Sequence, residues 1–146
     1  MGRILADSNV ILKYLEGNRD IGRLFAEHEV YYNDIIFSEV LYSAIRHVTG
    51  KRPYDIKKNP ETIAEARDII LAVRRFFKRH LTYVIITQEI VERATGYSVS
   101  FHLLPNDALI LATAEEYEIE YIATYDTDML RLRNVPVQIV KPDDLL

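Results

Sequence analysis

The chain has 146 residues, a length that fits one compact domain and is short for two. Its composition, 49% apolar and 27% charged, is that of a globular protein and excludes a disordered chain. Without cysteine it has neither a disulfide framework nor a thiolate metal site, and a net charge of −4 argues against uniform coating of nucleic acid.

The apolar run near the N-terminus is interrupted by Asp7, Asn9 and Lys13, and no segment approaches the ~20 apolar residues that span a bilayer. A cytoplasmic protein that does not enter membranes is expected. In chain order, short segments rich in β-branched and aromatic residues predict strands at 3–7, 29–33, 82–87, 119–124 and 135–140. Helical patterns fall between them at 8–16, 19–28, 35–49, 61–79, 88–101, 106–117 and 126–132. Such alternation predicts an α/β fold, a parallel sheet of about five strands covered on both faces by helices. The stretch 49–62 holds Gly50, Pro53 and Pro60 and is expected to be a loop between two long helices sharing one core, so a single domain spanning 1–146 is expected.

Charge is unevenly spread. Residues 46–80 carry ten Lys and Arg against four acids, while the rest of the chain carries eight bases against eighteen acids. This basic helical arm is either a phosphate-holding surface, with Arg74, Arg75, Lys78 and Arg79 as RNA contacts, or a solvated helix face.

Four acids stand where an α/β sheet places its ligands. Asp7 closes the first strand and Asp126 follows the fourth, both at carboxyl ends, while Glu39 lies early in the helix after the second strand and Asp107 in the first turn of the helix opened by Pro105. Singly, each acid has a plain alternative as a helix cap or a solvated side chain. Together, set in apolar surroundings, they demand compensation, because two carboxylates ~4 Å apart repel by about 4 kcal/mol at an effective dielectric of ~20. Mg²⁺ or Mn²⁺, one ion or two, suits an all-carboxylate set. The four histidines have no zinc-site spacing, the five glycines form no phosphate loop, and Tyr54 and Tyr97 are the better candidates for base stacking.

These residues resemble a known family. The segments LADSNVILKYLEG around Asp7, FSEVLYSAI around Glu39, LLPNDALILATAEEYEI around Asp107 and YIATYDTDML around Asp126 are similar, in order and spacing, to the four motifs of PIN domains, most of all the VapC-type toxin ribonucleases. The resemblance implies a three-layer α/β/α domain that hydrolyses RNA phosphodiester bonds with metal held by Asp7, Glu39, Asp107 and Asp126. Ser8 and Asn9 would support the site as hydrogen-bonders. Asp128 follows two residues after Asp126; of the two, Asp126 is expected to contact metal and Asp128 to support it from behind. A homodimer and a VapB-type antitoxin are the implied partners. Competing readings are a non-catalytic PIN-like RNA- or protein-binding module, an RNA-processing nuclease outside a toxin pair, and a different Asp- and Mg²⁺-dependent enzyme such as a phosphatase.

Overall fold

The structure, a computed structural model, describes residues 1–146. Strands β1 (Arg3–Ala6), β2 (Glu29–Tyr32), β3 (Thr82–Tyr83), β4 (Tyr121–Ala123) and β5 (Gln138–Val140) form one parallel sheet in the order β3-β2-β1-β4-β5. Central β1 pairs on both sides, Leu5 facing Tyr31 of β2 and Ile122 of β4. A central parallel strand is covered on both faces, which is why Ile4, Leu5, Ile122 and Ala123 are all fully buried and the strands read as unbroken apolar runs.

The sheet is flanked by helices α1 (Ser8–Leu15), α2 (Gly22–Glu27), α3 (Asp34–Thr49), α4 (Pro53–Lys58), α5 (Thr62–Glu65), α6 (Arg67–His80), α7 (Gln88–Phe101), α8 (Pro105–Glu116) and α9 (Thr127–Leu130). The fold is therefore the three-layer α/β/α arrangement expected from the sequence. The chain winds outward from β1 through β2 to β3, then returns to add β4 on the other side of β1. The gap between the carboxyl ends of β1 and β4 is thus the point where strand order reverses, the usual place for a ligand crevice in such sheets. None of the helices is long and apolar enough to cross a membrane.

Three expectations need correction. Residues 49–62 are not all loop: Pro53 opens α4, whose Ile56 is buried, since proline is well tolerated in a first helical turn. The helix expected at 61–79 is two helices. Tight i to i+3 hydrogen bonds from Thr62 to Asn59, Ile63 to Pro60 and Ala66 to Ile63 carry the chain through α5 and seat Thr62 and Ala66 in the interior before α6 starts. Three strands are also shorter than read, β3 having two residues, β5 three, and β4, which pairs on both sides, three of the six expected at 119–124.

Local chemistry fixes the helix that matters most for the site. Asn33 caps α3 by accepting from the Ile36 N–H (3.1 Å), and its amide donates to Thr113 Oγ1 of α8 (2.9 Å). Asn33 is fully buried, so both bonds lie in the core. Asn33→Ala should destabilise the protein by about 2–4 kcal/mol, the sum of a lost cap and stranded buried polar groups. A shift in denaturation midpoint worth less than about 0.5 kcal/mol would show that the amide is dispensable.

Candidate active site

Asp7 leaves β1 with its N–H still bonded to the Ala123 carbonyl of β4 (3.0 Å), so the sheet itself holds the residue at the reversal point. Only 5% of Asp7 is exposed. Its Oδ1 accepts from the Ser8 N–H (2.8 Å), capping α1, and its Oδ2 accepts from the hydroxyl of Thr124 (2.7 Å). That buried hydroxyl in turn accepts from the Asp126 N–H (3.0 Å) and from Asn9 Nδ2 (3.3 Å). Asn9 Oδ1 accepts from the Tyr125 N–H (3.1 Å), so Asn9 ties α1 to the turn that carries Asp126. Asp126 Oδ1 caps α9 by accepting from the Asp128 N–H (2.9 Å).

The remaining acids arrive from other layers. Glu39 is half-buried on α3 and Asp107 half-buried in the first turn of α8. Burial pushes the Asp7 carboxyl above its ordinary range, against the pull of the Thr124 and Ser8 hydrogen bonds, and Asp126 adds to the push. Glu39 is raised first by burial and then by Asp7 and Asp126, with Asn106 and Ser8 pulling it back. Asp107 is pushed up to about 6, by burial and then by Asp126, Asp7, Glu39 and Asp128 in that order. The fold therefore brings Asp7, Glu39, Asp107 and Asp126 within electrostatic reach of one another, with Asp107 feeling all the rest.

No basic side chain offsets them. None of the four enters an ion pair, and Asp128, exposed at the rim, faces Arg131 at 3.8 Å. Nor do any three His, Asp or Glu side chains close round a common point at ligand distance. That spacing still fits a hard ion which keeps several of its waters and binds through one or two carboxylates, the habit of Mg²⁺.

Arg74, Arg75, Lys78 and Arg79 form an exposed face of α6, with Val73 and Phe77 turned to the core. None is in an ion pair, and none is among the charges acting on the carboxylates; Arg74 acts instead on the Tyr32 hydroxyl. Tyr54 is well exposed, whereas Tyr97 is partly buried on α7 and donates to Glu115, which removes it from the stacking candidates.

Two residues escaped the sequence reading. Thr124 and Asn106 touch or approach the acids, yet the only sequence signal was a hydroxyl ending a strand and an amide next to Asp107; their relevance requires knowing that β4 lies beside β1 and that α8 meets α3.

Comparison with known proteins agrees with the fold. The model of the PIN domain matches residues 4–135. Over 136 residues the chain is 35% identical to "Ribonuclease VapC2" of Methanocaldococcus jannaschii, a match covering 89% of each. In structure it is similar to a chain of a toxin–antitoxin complex from Klebsiella pneumoniae (TM-score 0.65, 21% identity, 95% of this chain and 97% of the other). It is also similar to a chain of the DNA-bound VapBC of Salmonella typhimurium (TM-score 0.66, 15% identity, 97% and 99%). Ordered motifs, a matching sheet and near-complete coverage lead to one conclusion: the chain belongs to the PIN-domain family, in its VapC branch.

Proposed function

We propose that the chain is a Mg²⁺- or Mn²⁺-dependent endoribonuclease, the toxin of a VapBC-type pair acting in the cytoplasm. The observation that carries this reading is Asp107, a carboxyl pushed up to about 6 first by burial and then by four neighbouring acids, with no protein cation to offset them. Such a cluster wastes stability unless a cation completes it. Asp7, Glu39, Asp107 and Asp126 would hold one ion or two. When bound, the metal supplies an activated water and stabilises charge on the phosphoryl oxygens.

The chain's own residues orient that set. The Ser8 N–H and Thr124 hydroxyl fix both oxygens of Asp7, so its carboxylate cannot swing away. Asn9 clamps the Asp126 turn against α1 through the Tyr125 N–H. Between the two acids of the last motif, Asp126 is the better metal holder: it acts on Asp7, Glu39 and Asp107, whereas Asp128 acts only on Asp107 and lies at the exposed rim. The basic face of α6, Arg74, Arg75, Lys78 and Arg79, serves as contact for RNA phosphates. As partners we assign a second copy of the chain and a VapB-type antitoxin, whose Arg side chains could pair bidentately with the carboxylates and block the site. The similarity to VapC2 along 89% of the chain supports the activity, and the likeness to chains of toxin–antitoxin complexes supports the antitoxin as partner.

Purified protein should cut single-stranded RNA in millimolar Mg²⁺ or Mn²⁺ and stop on chelation. Undiminished cutting in excess EDTA would exclude the metal mechanism.

A further inference from the structure

Beyond the acidic edge, the C-terminal end of α3 carries a second concavity of opposite charge. A cup of about 290 Å³ is lined by Ser43, Arg46, His47, Gly50, Lys51 and Arg52, without one apolar or acidic side chain. Its shape is built into the backbone. Gly50 ends α3 in the left-handed region (φ 65°), its N–H bonding to the Arg46 carbonyl (2.8 Å), and the Lys51 N–H then bonds to Thr49 Oγ1 (3.3 Å). A side chain at position 50 would strain that turn. The turn brings Lys51 and Arg52 round to share the cup with Arg46 and His47.

A plainer role exists for part of this set, since Arg46 and His47 in the last helical turn complement the negative end of the helix. It does not extend to Lys51 and Arg52, which lie beyond the helix. Arg52 is held by Asp55 (3.3 Å), the nearest acid, while Arg46 and Lys51 are exposed and in no ion pair. Two unpaired cations and a polar lining fit a phosphate.

The cup is also aligned with the acids. Glu39, Ser43 and Arg46 stand at i, i+4 and i+7 on α3, hence on one face of the helix. Seven residues at 1.5 Å each put Arg46 about 10 Å along the axis from Glu39. We infer that this cup is a subsite for a backbone phosphate of the RNA strand whose cleaved bond lies at the acidic edge, with Arg46 and Lys51 as its cations. The inference rests on the ribonuclease reading. An acidic peptide is the competing occupant, since an apolar groove that includes Leu12, Val48 and Ile69 shares Ser43 and His47 with the cup; the placement of Arg46 on the Glu39 face of α3 favours the RNA strand.

The test compares Arg46→Gln/Lys51→Gln with the unaltered protein, measuring binding of a labelled single-stranded RNA of mixed sequence across a salt series. Asp7→Asn is present in both binding samples to prevent cutting. Loss of two phosphate contacts should flatten the slope of log affinity against log salt by about 1.4, at about 0.7 per contact for single strands. With Asp7 intact, KM should rise several-fold while kcat holds, because the cup does not touch the reacting atoms. Arg46→Lys should restore the slope. Arg19→Gln/Arg23→Gln, which removes two charges elsewhere, should leave it unchanged. An unchanged slope and KM in the Arg46/Lys51 variant of a protein that does bind and cut RNA would overturn the subsite alone and return the cup to solvent or a protein partner. Failure of the unaltered protein to cut or bind RNA even at low salt would overturn the ribonuclease reading and the subsite with it.

Discussion

Asp107→Asn is expected to lower RNA cleavage by more than about 100-fold while leaving the chain folded, and Asp7→Asn to do the same. The bound is set by outer partners of metal ligands, whose loss typically costs about 10–100-fold; residues that hold the ion should cost more. Asparagine keeps the shape of the side chain and removes the charge, so the loss isolates electrostatics from packing. At Asp7 it also preserves the cap on α1, because Asn caps about as well as Asp. Asp128→Asn should be milder, since that residue is exposed and acts on Asp107 alone among the three raised acids. Single-turnover cleavage in Mg²⁺, with circular dichroism to check folding, measures all three. Cleavage by Asp107→Asn within tenfold of the unaltered rate would remove it from the site.

Stability against pH should show the same cluster without any substrate. The carboxyl of Asp107 titrates at about 6 in the folded chain, well above its unfolded value near 4. A raised acid binds its proton more tightly when folded, so its contribution is favourable at low pH and is lost as pH rises from about 4 to beyond 6. Metal-free protein should therefore lose about 1 kcal/mol from this group over that window, after allowing for screening of a half-exposed side chain, or roughly 2–4 °C in melting temperature. Asp107→Asn cannot titrate there. In EDTA it should melt above the unaltered protein at pH 7 and level with it at pH 4. Adding Mg²⁺ at pH 7 should reverse the order, since an ion at tenfold its Kd contributes roughly 1.4 kcal/mol and the variant binds more weakly. Parallel melting curves for the two proteins, with and without cation, would mean that the acids neither repel one another nor share an ion.

The sequence by itself determined the class of fold and the order of its parts. Buried parallel strands must be apolar on both faces, so RILA, EVYY and YIA announced themselves, and alternation with amphipathic helices left a covered parallel sheet as the architecture. It also marked the acids, because a carboxylate at the end of an apolar strand or inside LLPNDALILATA is costly enough to stand out. What it could not contain is anything that depends on which elements are neighbours. Strand order decided that Asp7 and Asp126 flank one crevice, and only that adjacency made the Thr124 hydroxyl a link between them. Packing decided that the chain from Pro53 to Ala66 folds into two short helices, because Ile56, Thr62 and Ala66 find buried seats that no local pattern reveals. The basic cup arises the same way: Gly50 permits a left-handed turn, but only the folded chain shows that the turn gathers Lys51 and Arg52 with Arg46 on the face of α3 that begins at Glu39. Periodicity and local cost are properties of a segment and are legible in it, whereas proximity is a property of the whole chain and is not.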